Sequence, residues 1–135
     1  MFEGMGGAEL AAALARVDVR ALDAAAALDY AVAASRLAAW ATAGEAAGLA
    51  RTHALYPDPD PGPEGVDHGL DRHRAAVAEV RAAYGCSRLA ASARIGFADA
   101  LADLPRLASA LAEGRLPIDH VRVLVRETEP LLADA

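Results

Sequence analysis

The segment DHGLDRH holds the residues whose types come nearest to a metal-binding set. Asp67, His68, Asp71 and His73 lie within seven residues of one another, and imidazole nitrogens with carboxylate oxygens are common ligands of zinc and manganese. Their spacing fits no well-defined metal motif, and the proline-rich segment before them supplies little preorganisation. We therefore predict no metal site, with these four residues as the candidates if a metal were bound, and interpret them as solvated loop residues.

The segment AEVRAAYGCSRLAASARIGFADAL has the outline of a helix-turn-helix. One helix is predicted to end near Gly85, and Ser87 is placed to cap the next. In DNA-binding pairs of this kind the second helix enters the major groove. The candidate nucleic-acid-binding residues are therefore Arg88, Ser92 and Arg94.

The charge distribution argues against strong DNA binding. Of the net charge of −6, all falls in residues 1–70, which hold four arginines and ten acids, whereas residues 71–135 hold nine of each. Attraction to phosphates supplies most of non-specific DNA affinity, and Asp99 and Asp103 lie on the same predicted helix as the arginines. From the sequence we expect binding no tighter than about 0.1 mM, and an ordinary helical corner is the default interpretation.

No catalytic set is apparent in the sequence. His53 and His120 are isolated histidines at predicted helix ends, and no serine or cysteine has a base partner at a motif spacing. The glycines do not form a phosphate-binding loop pattern. The single cysteine, Cys86, excludes an internal disulfide, fits a reducing cytoplasm, and is interpreted as packing. We predict no catalytic residues and no cofactor.

The elements that would position these residues are all helical. Hydrophobic residues make up 55% of the chain and many are alanine, which favours helix but buries little area. We predict an all-α fold of about six helices arranged in hairpins, at 8–16, about 22–55, 71–84, 87–101, and on either side of Gly114, starting at Pro105 and Pro117. The alternating run VRVLVR also suits a strand, but Asp119 favours a helix.

A Pro/Gly-rich segment divides this helical chain. We predict an N-terminal helical part at 1–56, a loop at 57–70 with four prolines, and a C-terminal helical part at 71–135, together forming one domain. In the long N-terminal helix, Tyr30 and Trp40 are predicted core anchors. Gly44 and Gly48 have the spacing that lets two helices approach closely, and Glu45 favours packing in water over dimerisation in a membrane.

The chain shows neither a targeting signal nor a candidate membrane span. Acids stand near the N-terminus where a secretory signal carries basic residues, and charges interrupt every long apolar run. We therefore expect a soluble cytoplasmic protein with no membrane partner.

The order of residues along the predicted helices resembles the sequence pattern of a known family. The order RLAAW at 36–40, then Glu79, then a run marked by Leu104, Pro105, Leu111, Gly114, Ile118 and Arg122 is similar to the domain of unknown function 222 (DUF222). The resemblance covers roughly residues 10–132. That domain is found in the 13E12-repeat proteins of GC-rich bacteria, which usually end in an HNH nuclease module.

The resemblance implies an all-α accessory domain without catalysis of its own. Relatives continue past residue 135 into the nuclease module, and the letters of DHGLDRH do not correspond to the nuclease residues. We therefore expect a truncated member whose partner is either a second copy of the chain or the missing C-terminal continuation, with DNA as a partner of full-length relatives. Two alternatives stay open, namely a DNA-binding module that uses the helix pair at 72–102, and a domain for oligomerisation or other interactions.

The alanine content and the expected truncation generate a stability prediction. Helices this rich in alanine form readily, yet tertiary stability comes from buried apolar area, which alanine supplies poorly. Circular dichroism should show strong helicity, together with a broad thermal transition, binding of an apolar dye, or self-association. A monomer with a sharp two-state melt and no dye binding would mean that residues 1–135 form a complete domain.

Overall fold

The computed structural model describes the backbone of residues 1–56 and 68–133, and the side chains of 1–56 and 72–130. Six α-helices and one 3₁₀ turn make up these parts of the chain, none of which contains a strand, so the predicted all-α fold is confirmed. The helices are α1 (Gly7–Ala15), α2 (Ala24–Leu55), α3 (His68–Tyr84), α4 (Arg88–Ala102), α5 (Pro105–Ala112) and α6 (Ile118–Ala133).

The helix ends lie close to the residues that predicted them. Pro105 is the first residue of α5, and Gly85 and Gly114 follow α3 and α5 with φ of 64° and 71°, a region that L-residues with a Cβ rarely adopt. The run VRVLVR is helical, as Asp119 indicated. One boundary differs, because α3 begins at His68 inside the predicted loop. The last proline of that segment is Pro63, so no ring blocks helical backbone from residue 68 onward.

The chain divides into two compact units. The first consists of Met1–Gly44 with Leu104–Ala135, and the second of Glu45–Asp103. This grouping differs from the two halves around the loop that the sequence suggests, and that division stays a prediction. Among the described helices, none combines the length and the hydropathy that a membrane span requires.

The first unit is built around two sets of apolar contacts. Phe2, Leu10 and Leu14 are buried with Ala33 of α2, and Tyr30 packs against this cluster as a partly buried side chain. Helices α5 and α6 pack together, and their Leu111 and Val121 are fully buried. Each of these two helices therefore contributes a buried apolar side chain to the core.

Arg36 connects the beginning of the first unit to the turn between α5 and α6. Its Nη1 donates a hydrogen bond to the backbone oxygen of Phe2 at 3.3 Å. A Cβ placed on Gly114 would lie 3.1 Å from Arg36 Cγ. Glycine at this position therefore satisfies both the positive φ of the turn and the close passage of the arginine side chain.

Trp40 is not the buried anchor that the sequence predicts. The residue is 44% exposed, and its ring lies against Gly7, where any Cβ would collide with the indole. The ring also lines an open groove of about 550 Å³ with the small side chains Ala41, Ala43, Gly44, Ala108, Ser109 and Ala112. Alanine and glycine neighbours are too short to enclose an indole, so one side of the ring stays in solvent.

The predicted close packing at Gly44 and Gly48 is also wrong. Both glycines are exposed, and a Cβ on either would meet no atom within 4 Å. The buried side of this stretch of α2 is formed instead by Ala46, which is 4% exposed, with Leu49 partly buried beside it. The glycine spacing permits a close approach, but no described helix occupies that face.

The core of the second unit generates a prediction with an internal control. Ile95 is 1% exposed, whereas Leu89 on the same helix is 82% exposed. Ile95→Ala should lower the free energy of unfolding by about 2–5 kcal/mol, because it removes buried methyl groups and leaves a cavity. Leu89→Ala should change it by no more than about 0.5 kcal/mol. Urea unfolding followed by circular dichroism measures both, and equal losses would contradict the assigned burial.

Candidate functional site

Helices α3 and α4 form a tightly joined pair within the second unit. The Gly85 N–H donates to Arg81 O at 2.8 Å and ends α3. Ser87 then caps α4, with its Oγ accepting from the Ala90 N–H at 3.1 Å, as the sequence predicts. The predicted helix, glycine turn and serine-capped helix are therefore present.

The contact between the two helices is made by small apolar side chains. Ala76, Val77 and Val80 of α3 are buried against Ala91 and Ile95 of α4, with Leu49, Tyr56 and Cys86 partly buried around them. Cys86 thus packs against the core, as interpreted from the sequence. Alanine on both helices lets them approach closely. The exposed side chains on either side of the helix contact are therefore brought together.

An arginine groove lies along this helix pair. It has a volume of about 590 Å³ and is lined by His73, Arg74, Val77, Ala78, Arg81, Arg88 and Ser92. Arg74 and Arg81 are seven residues apart on α3, which is close to two helical turns and places them on one face. Arg88 is the first residue of α4, and Ser92 follows one turn later. The groove therefore carries arginines on both helices.

The side chains of the three groove arginines have no partner in the part of the chain that the structure describes. Arg74, Arg81 and Arg88 are exposed, and none of their side chains makes a hydrogen bond, ion pair or ring contact with a described residue. None of the described acidic side chains lines the groove. Within the described residues, no partner therefore offsets their positive charge.

Arg94, the second of the two arginines predicted to face DNA, lies outside this groove. Its Nη1 is 3.1 Å from Glu45 Oε2 and 3.2 Å from Oε1, and its guanidinium stands 4.7 Å from the centre of the Tyr84 ring. The structure brings Arg88 and Ser92 together and assigns Arg94 to an internal contact. Six residues separate Arg88 from Arg94, which places them on different faces of a 3.6-residue helix.

Glu45, Tyr84 and Arg94 form a polar cluster of three different helices. The Tyr84 hydroxyl donates to Glu45 Oε2 at 2.9 Å. Burial raises the pKa of Tyr84, the hydrogen bond and negative charge of Glu45 raise it further, and Arg94 opposes them. Burial also raises the pKa of Tyr56, with a further contribution from the Glu79 carboxylate.

The histidines of the second unit are paired in a chain of contacts. His53 Nδ1 lies 2.7 Å from Asp99 Oδ2, and the rings of His53 and His73 meet edge to face with centroids 5.7 Å apart. His73 Nε2 in turn lies 3.3 Å from Ser92 Oγ. The sequence suggested that His53 is isolated. In the structure it takes part instead in contacts that join α2, α3 and α4.

The metal candidates receive no structural test. Asp67 lies outside the described residues, and of His68 and Asp71 only the backbone is described. His73 is the one whose contacts are known, and these are with His53 and Ser92. In the described part of the chain, no group of three or more histidine, cysteine, aspartate or glutamate side chains converges as a metal site.

Sequence reasoning missed Arg74 and Arg81. The signal in the sequence was their spacing of seven residues on the first helix of the predicted helix-turn-helix. The predicted DNA-binding residues all lie on its second helix. It also missed the Glu45 partner of Arg94, which is 49 residues away in the chain and leaves no local pattern.

The cluster of Glu45, Tyr84 and Arg94 predicts that two substitutions shift the pKa of Tyr84 in opposite directions. Glu45→Gln should lower the pKa of Tyr84 towards its ordinary value, because it removes a negative charge, whereas Arg94→Ala should raise it further. Tyrosinate absorbance against pH measures both, and subtraction of the Tyr84→Phe titration assigns the signal. Shifts in the same direction would contradict the cluster.

The same cluster fixes the sign of a stability effect. A raised pKa means that the folded state holds the phenol proton more tightly than the unfolded chain. The associated stability is present below the unfolded pKa of about 10 and is lost as pH rises through the higher folded value.

The comparison with known proteins gives a family but no activity. Among curated proteins none matches the chain, and among solved structures none does either. The sequence profile of a domain of unknown function, DUF222, matches residues 31–134, which include most of α2 and all of α3 to α6. The sequence pattern of the helices resembles this same family, and the chain belongs to the DUF222 family.

Proposed function

We propose that this chain is a non-catalytic helical accessory domain, which in longer relatives accompanies a nuclease module. Its contribution would be to bind or position, while chemistry takes place in the other module. The observation that carries the proposal is the way in which the histidine, serine and aspartate side chains of the second unit contact one another.

The pairing differs from that of a nucleophile with its base. In a serine triad one imidazole bridges the hydroxyl and the carboxylate, so that the carboxylate orients the base that takes the proton. Here Ser92 contacts His73, but the carboxylate of Asp99 is held by a different ring, His53. Among the described residues, the other contact of the His73 ring is an edge-to-face one with His53 and not with a carboxylate.

This arrangement supports a structural role for the cluster. The contact between Asp99 and His53 joins α4 to α2, and that between Ser92 and His73 joins α4 to α3. Each links residues more than fifteen positions apart in the chain. In an alanine-rich unit, such directional contacts select one helix arrangement among several with similar apolar packing.

The proposal predicts that the purified chain does not cleave DNA. Supercoiled plasmid should stay intact with magnesium, manganese or zinc present, because the described residues supply neither a positioned base nor a group of metal ligands. The assay follows the conversion of supercoiled to nicked plasmid with time. His53→Ala and Ser92→Ala serve as matched controls and should not change the background.

Divalent-dependent nicking that disappears on His68→Ala or His73→Ala would overturn the proposal. It would also identify the segment from His68 to His73 as a metal site.

A further inference from the structure

We propose that the arginine groove binds the phosphodiester backbone of duplex DNA. The groove is the set of residues His73, Arg74, Val77, Ala78, Arg81, Arg88 and Ser92. The inference goes beyond the proposed function, since a domain could be non-catalytic without binding nucleic acid.

The first argument is the state of the charges. Arg74, Arg81 and Arg88 have no partner among the described residues, whereas Arg115 is held 2.6 Å from Glu113 and Arg94 is held by Glu45. A guanidinium cannot lose its proton at physiological pH and presents a fork of donors that fits phosphate oxygens. Three unpaired guanidinium groups around one concave surface therefore favour a polyanion.

The second argument is the spacing of these charges. Arg74 and Arg81 are separated by about 10.5 Å along α3, from seven residues at the rise of an α-helix. Arg88 stands on the other helix of the groove, where the positive end of the α4 dipole adds to its charge. A single phosphate group would engage one or two of these arginines, whereas the repeated charges of a nucleic-acid strand reach all three.

The third argument concerns the form of the nucleic acid. Proteins that bind single strands combine a basic groove with aromatic side chains on which bases stack. The only ring among the described lining residues is that of His73, which is engaged with Ser92 and His53. Val77 and Ala78 provide a small apolar floor without a stacking platform. Such a surface suits contacts to the backbone of a duplex, which fix position without reading sequence.

The local charge differs from the charge of the whole. Residues 71–135 sum to zero, which led to the expectation of no binding tighter than about 0.1 mM. None of the described acids of the second unit lines the groove, however, and Glu45 and Asp99 are engaged with Arg94 and His53. The described lining of the groove therefore carries positive charge although the whole chain carries −6.

Binding is measured by fluorescence anisotropy of a labelled duplex of arbitrary sequence at low salt. The dissociation constant should fall within the non-specific range of about 10⁻⁴–10⁻⁶ M. Three phosphate contacts give a slope of about −2.7 in log affinity against log salt, so affinity should fall about 40-fold between roughly 50 and 200 mM salt.

The variants locate the contact. Arg74→Ala, Arg81→Ala and Arg88→Ala should each weaken binding and reduce the salt slope by about 1. Arg51→Ala removes the same charge from an exposed position of the same unit outside the groove, and should leave the slope unchanged. All four residues are exposed, so helicity and the thermal melt should match those of the unaltered chain.

Several results would overturn the inference. They are the absence of binding at about 0.1 mM protein in low salt, an equal effect of Arg51→Ala and Arg81→Ala, and tighter binding of a single strand or of anionic lipid vesicles than of the duplex. The plasmid assay is independent of this measurement. Binding without cleavage supports both proposals, whereas binding with cleavage supports the groove and removes the non-catalytic role.

Discussion

The contact between alanine-rich helix faces is the constraint on which the rest of this structure depends. Of the eighteen buried hydrophobic residues among the described side chains, eight are alanine. Alanine buries little area, so each helix pair gains less from its contact than leucine-rich helices would. Short side chains compensate by letting helix backbones approach, as at Ala76 and Ala91 between α3 and α4. The gain in contact is real, but such faces fit one another in more than one register.

Directional contacts remove that ambiguity within each unit. In the first unit, Arg36 binds the Phe2 carbonyl and passes so close to Gly114 that an added Cβ would lie 3.1 Å from its Cγ. In the second, Glu45 holds both Tyr84 and Arg94, and His53 holds Asp99. These contacts are partly exposed, so each adds only modest stability. Their effect is on which arrangement forms, because a shifted helix would lose several of them at once.

The helices could be predicted from the sequence because their signals are local. Pro105, Gly85, Ser87 and Gly114 act within one turn of their own position, and the structure places all four at the helix ends they predicted. The burial of Trp40 and the packing at Gly44 could not be predicted in this way. Periodicity reports which face of a helix is apolar or small, whereas the presence of an opposing surface depends on the whole fold. On an alanine-rich helix nearly every face is small and apolar, so the periodicity does not show which face is buried.

The candidate site shows the same division between local and distant signals. Arg88 and Ser92 share a groove because they are four residues apart on one helix, which the sequence alone predicts. The sequence cannot say which arginines keep their charge available, because that depends on partners far along the chain. Arg94 is neutralised by Glu45 across 49 positions, whereas Arg74, Arg81 and Arg88 meet no such partner among the described residues. Net charge therefore describes this protein poorly. Residues 1–70, with ten acids and four arginines, account for the whole net charge, whereas the described lining of the groove contains three arginines and no acid.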